Sequence, residues 1–238
     1  MSEWKAKRFW SHASSIAKGD GYQILLDDRE VRTPGRASLI VPTSELANAI
    51  AAEWEAQSDQ IDPKSMPYTR MANSALDKVV PQQGEVAEII AAYGDCDLLC
   101  YRAEAPKELV DRQAEHWDPL LDWAADVLGV RLAPVSGVVH RPQSAAEIAV
   151  LLDLVNSYDC FELAAFHDLV SLSGSLIIGF AAANQYCPAD RLWEVSRIDE
   201  MWQIEQWGQD DEATAGANQK LSAFLHAAAF FASCRKTP

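Results

Sequence analysis

Apolar residues along the first forty positions come in short runs cut by turn residues. Gly19-Asp20-Gly21 precedes Tyr22-Gln23-Ile24-Leu25-Leu26, and Asp27-Asp28-Arg29 follows it. Val31-Arg32-Thr33 leads into Pro34-Gly35, and Leu39-Ile40-Val41 closes the series. Runs this short, between turns this close, predict antiparallel hairpins, because parallel pairing needs a long crossover. At Pro42-Thr43-Ser44-Glu45 the period lengthens. Thr43 suits a helix N-cap and Glu45 the positive end of the helix dipole. Leu46, Ala49, Ile50 and Trp54 then give that helix one apolar side, which is expected to cover the small sheet.

Asp62-Pro63 and Met66-Pro67 interrupt the pattern, so residues 57–67 read as a linker or crossing loop. Beyond it helical spacing dominates, over 69–80, 82–93, 106–128, 144–157, 161–183, 188–208 and 210–233. An extended connector is expected at 97–101 and a β-like piece at 135–139. In 161–183 the small residues Ser171, Ser175, Gly179 and Ala183 recur every four positions, a ridge that would let a neighbouring helix approach closely. In the last helix Leu221, Phe224, Leu225, Ala228, Phe231 and Ala232 form a stripe whose nearest candidate partner is the 188–208 helix. The fold class is therefore α+β: a small antiparallel β-rich N-terminal domain with one covering helix (1–66), then a larger all-helical C-terminal domain (67–238).

The segment Leu192–Glu212 stands out, with three of the chain's eight tryptophans and an acidic end. On one helix, Leu192, Val195, Ile198, Met201 and Trp202 share a face that Glu205 continues, while Trp193, Ile204 and Trp207 lie opposite. Two apolar faces mean burial on both sides or one side kept for a partner. Gly208 suits the end of that helix. Asp210, Asp211 and Glu212 then either cap the next helix or form an acidic lip beside exposed aromatics.

The length allows a sizeable core, and 49% apolar content with 9% aromatics describes a globular chain. A net charge of −15 repels phosphate backbones, which excludes nucleic acid as a natural partner. The same charge favours a basic partner, and it also serves solubility. Cys96, Cys100, Cys160, Cys187 and Cys234, odd in number and scattered, suit free thiols in a reducing compartment. The start lacks the apolar run of a signal peptide, and residues 169–185 fall short of a membrane span. A soluble, cytoplasmic protein without membrane insertion is expected.

His167-Asp168, with His140 upstream and Asp190 or Asp199 downstream, has the order of a histidine-aspartate metal phosphohydrolase. A His and Asp satisfying one another is the commoner situation. Cys96 and Cys100 with His116 lack the spacing of a zinc site. Asp118, Asp122 and Asp126 read as a solvated flank. Gly174-Ser175 lacks the glycines of a nucleophile elbow, and no phosphate-binding glycine loop occurs.

Several long segments together carry a resemblance that spans nearly the whole chain: Arg8–Trp10, Gly21–Pro34, Ala49–Gln57, Ile61–Asp77, Asp97–Trp123, Phe161–Ile177 and Ser196–Gly208. In these the chain resembles the assembly chaperones of the F-type ATP synthase that protect its free alpha subunit. The resemblance implies a small β-rich domain before a helical one, with no nucleotide, metal, cofactor, small-molecule substrate or catalysis. It implies that the alpha subunit is the client, held by the helical part until it pairs with the beta subunit. Acidic positions near the end of that part are implicated, which points to Glu205 and to Asp210, Asp211 and Glu212. Trp202 and Trp207 are the expected apolar anchors.

Overall fold

The computed structural model describes residues 7–235. The first six residues, with the leader-peptide reading that rests partly on them, lie outside the described residues. Strand β1 (Ala13–Lys18) pairs antiparallel with β2 (Gly21–Leu26), Ala13 opposite Leu26 and Lys18 opposite Gly21. β2 also pairs antiparallel with β3 (Arg29–Glu30) and with β4 (Ile40–Val41). The β2–β3 turn needs a left-handed residue, and Asp27 supplies it at φ 51°. Helix α1 (Ser44–Glu55) packs against β1 and β2, with Leu46 and Ile50 fully buried. Thr43 caps it as its spacing predicts, accepting from the Leu46 N–H at 3.2 Å.

Residues 7–83 pack as one unit together with 159–165 and 229–235. The Thr43 hydroxyl donates to the Ser233 carbonyl, Tyr68 stacks on Phe230 at 5.9 Å, and Arg235 pairs with Glu162 at 3.3 Å. Helix α2 (Pro67–Ser74) has its leading N–H groups, Tyr68 and Thr69, accepted by Glu53 of α1 at 2.7 and 2.8 Å. Burial raises the Glu53 pKa, and these donors oppose the rise.

Residues 84–158 and 166–228 form the second unit. It holds α3 (Gln83–Ala91), α4 (Lys107–Trp123), α5 (Ala145–Asn156), α7 (Leu176–Ala183), α8 (Ala189–Ser196) and α9 (Ile198–Trp207). Most of α6 (Cys160–Ser173) and α10 (Asp211–Cys234) belongs here too. The chain is thus a small antiparallel sheet region followed by a mostly helical part. The helical part also carries one short parallel pair, β5 (Tyr101–Arg102) with β6 (Val135–Ser136), which unites the extended pieces expected near 101 and 135. Residues Leu98–Cys100 form a 3-10 turn instead of continuing the strand.

Two segments that read as single helices are each broken in two. The first breaks at Gly174, whose φ of 73° leaves the right-handed region. Ser175 then caps α7, accepting from Ile178 N at 3.0 Å. The four-residue ridge of small side chains therefore does not lie on one helix, because α6 ends before Ser175. Close approach is seen at Gly179, where a Cβ would sit 2.6 Å from Val170 Cγ2. The second break is at Arg197, between α8 and α9. In α10 the stripe is also rotated from its predicted position. Phe224, Ala227, Phe230 and Phe231 are buried and Ala232 is exposed. Trp193 of α8 does meet Phe224, at 5.7 Å.

Asp97, fully buried, secures the Gly174 break. Its carboxylate accepts from the Ser175 hydroxyl at 2.7 Å, from Ile177 N at 3.0 Å and from Leu99 N at 3.0 Å. One side chain thereby caps two helical starts, its own 3-10 turn and α7. Burial outweighs those donors and pushes its pKa up to about 6 from 3.8. The native state therefore favours the protonated acid. Its contribution is full below about pH 4 and declines as pH rises through about 6. Urea unfolding of the wild type and Asp97→Asn across pH 4–7.5 should show the wild-type advantage shrinking by about 2.4 kcal/mol. A difference that stays flat over that range would contradict this account.

Candidate functional site

Helix α8 ends at Arg197, with φ −109° and ψ 15°. In an unbroken helix the Val195 carbonyl would accept from the N–H four residues on. Here the buried Trp117 of α4 takes that role, its indole Nε1 donating to Val195 O at 2.9 Å. Gln113, one turn earlier on α4 and also buried, donates to Asp199 at 2.6 Å while its Oε1 accepts from Ala103 N at 2.8 Å. Its neighbour Arg112 donates to Glu205 at 2.8 Å and lies 5.0 Å over the Trp202 ring. Thus α4 holds the start of α9 through buried groups and its middle through a half-exposed pair. The Arg112 hydrogen bond is the main reason the Glu205 carboxyl lies below its ordinary range.

The opposite side of α9 is open. Met201 is 48% exposed, Ile204 37% and Trp207 80%. These three are spaced by three, so they form one strip. The expected sharing of faces across residues 192–207 does not hold, because the break at Arg197 resets the register. Trp193, expected on the side of Ile204 and Trp207, is buried with Arg197 5.4 Å over its ring. Met201, expected beside buried Leu192, is half exposed.

Gly208 ends α9 at φ 89° and ψ 171°, its N–H bonded to Ile204 O at 2.9 Å. Asp210 caps α10, accepting from Ala213 N at 2.7 Å. Asp211 and Glu212 occupy the first turn of α10 and are exposed. The structure therefore brings Trp202 and Glu205 together under Arg112. It leaves Trp207 in the open and commits Asp210 to the backbone. Sequence reasoning missed Arg112, Gln113 and Trp117. They lie in the family-like segment Asp97–Trp123, but nothing local ties Arg112 to a carboxylate 93 positions away.

The alternative chemistries do not assemble. His167 contacts Asp168 at 3.1 Å, whereas His140 sits between the Tyr101 hydroxyl at 2.8 Å and Asp95 at 3.3 Å. Asp199 is held by Gln113. Among the described residues no three His, Cys, Asp or Glu side chains are grouped to hold a metal. Burial pushes the Cys100 thiol up to about 12, away from the thiolate a metal requires. Asp118 is more than a solvated flank, pairing with Arg102 at 2.7 Å.

Residues 7–125 match the family described as ATP12 chaperone protein. The solved structure of Atp12 from Paracoccus denitrificans is 47% identical, covering 98% of this chain and 100% of its own, with a TM-score of 0.95. This chain belongs to the ATP12 chaperone family. Among curated relatives, the Schizosaccharomyces pombe protein named "Protein atp12, mitochondrial" is 25% identical over 241 residues. That match covers 96% of this chain and 82% of the relative. ATP12 family proteins are chaperones of ATP synthase assembly. Among the described residues of this ATP12 chaperone, no helix is long and apolar enough to cross a membrane.

Two substitutions separate the scaffold of this site from its surface. Trp117→Phe leaves the Val195 carbonyl buried without a donor and should cost about 1–3 kcal/mol in urea unfolding. Glu205→Gln removes only an exposed pair, and its unfolding midpoint should stay close to wild type.

Proposed function

We propose that this ATP12 family chaperone binds the free alpha subunit of the ATP synthase catalytic head. It masks the apolar surface that the alpha subunit later gives to the beta subunit. The observation that carries this reading is the open side of α9, where Trp207 stands 80% exposed beside Ile204 and Met201. A large indole left in water on a well-formed helix is the kind of apolar anchor that interfaces use. The Arg112–Glu205 pair edges the same helix, as a polar rim edges an apolar contact.

The physics of the task fits this arrangement. An unpaired subunit exposes apolar interface and aggregates. A chaperone must cover it and later let go, so a narrow apolar strip with a charged edge serves better than a broad obligate interface. Trp207 and Trp202 act as anchors, with Arg112 bracing Trp202. Glu205, Asp211 and Glu212 set register through charge, and Asp210 holds the helix start that presents the last two. The work is non-enzymatic and performed in the cytoplasm by the helical unit of residues 84–158 and 166–228, so the boundary expected at residue 66 moves to 83 and the last turns of α10 go to the sheet-bearing unit.

Light scattering of purified alpha subunit, alone and with this chaperone, tests the reading. Wild type should suppress aggregation at stoichiometric ratio. Trp207→Ala should weaken binding tenfold or more, the loss of a central anchor being worth about 2 kcal/mol or more. Glu205→Lys, which sets a cation against Arg112, should also weaken it. Suppression left unchanged by both substitutions would refute the site, and a wild type that fails to suppress would refute the client.

A further inference from the structure

Helix α4 continues past Arg112 with Glu115, His116 and Pro119 at helical spacing, so these residues share its side. There, walled by α4, α8 and the turn before α8, lies a cleft of about 170 Å³. Leu120, Leu192 and Val195 line it, and all three are buried. Small-molecule sites begin at roughly 300 Å³, so this space suits a single side chain and not a cofactor.

Two acceptors belong to its α4 wall. Pro119 has no N–H and its ring crowds the carbonyl four residues before it, so the Glu115 carbonyl lacks its helical donor. The Glu115 carboxylate is exposed and, among the described residues, makes no hydrogen bond or ion pair. The arginine on the facing wall, Arg191, is engaged by Glu194 at 2.7 Å.

We infer that this cleft receives a lysine or arginine side chain of the client subunit. Its methylenes lie along the leucine and valine lining, and its charged head donates to the Glu115 carboxylate and carbonyl. The inference rests on the alpha-subunit reading above. Charge complementarity selects this occupant: the chain carries −15, and a cation approaches such a surface down the field. An apolar or acidic occupant would strand the carboxylate and offer nothing to the carbonyl that Pro119 leaves without its helical donor.

The test titrates purified alpha subunit against the full chain and three variants whose folding is checked by circular dichroism. Glu115→Lys should weaken binding tenfold or more. Glu115→Gln, which keeps the shape and removes the charge, should fall between it and wild type. Asp153→Lys places the same charge change on an exposed position of α5 and should alter binding less than twofold. If Glu115→Lys equals Asp153→Lys, or binds more tightly than wild type, the cleft inference is overturned while the client reading stands. If wild type does not bind the alpha subunit, the client reading falls and this inference falls with it.

Discussion

The hydrogen bond from the Trp117 indole to the Val195 carbonyl, 2.9 Å long and closed to water, fixes where α8 stops and where α9 points. A helix that ends inside a protein frees carbonyls that must find other donors. Trp117 supplies one, and Gln113 adds a second tether at Asp199. With the junction pinned, α9 starts in a new register and turns Met201, Ile204 and Trp207 outward. The large apolar side chains left in solvent are thus a consequence of a well-satisfied interior. No loose packing is needed to explain them.

The same device operates at Gly174. There the helix ends in a left-handed residue, and Asp97 takes up the freed donors of the next helix start. In both places a polar side chain from a distant segment stabilises an interruption that local sequence would not predict. Each arrangement has a cost as well. Asp97 is held deep enough that burial raises its pKa despite its donors, and Trp117 is so closed in that a smaller ring would leave an unpaired carbonyl behind.

Much of the first unit was legible in the sequence because its signals are local. Asp27 turns a hairpin, Thr43 caps a helix, and Leu46 and Ile50 face the sheet as their spacing requires. The helix breaks were less legible for a physical reason. A glycine inside an apolar run is tolerated in many helices, so Gly174 is ambiguous, and Arg197 carries no break signal at all. The apolar period continues across both, so the continuous readings followed naturally and failed together. At the site, sequence marked the tryptophans and acids of 202–212 but could not separate buried from open indoles. Trp193 and Trp207, fourteen positions apart and equally apolar, end on opposite sides of that divide. Arg112 was invisible because its partners lie in another segment. The family resemblance supplied what periodicity could not, since it rests on long matched stretches and not on any single pattern.

The membership of residues 229–235 in the sheet-bearing unit has a consequence for how the molecule is made. Thr43 and Tyr68 find partners in the last turns of α10, and Glu162 finds one in Arg235 just past it. A nascent chain emerges from the ribosome amino end first. Thr43 at the start of α1 and Tyr68 of α2 therefore gain these partners only after nearly all the intervening sequence is translated. The sheet-bearing unit is therefore closed by residues that reach the solvent long after its first strands do.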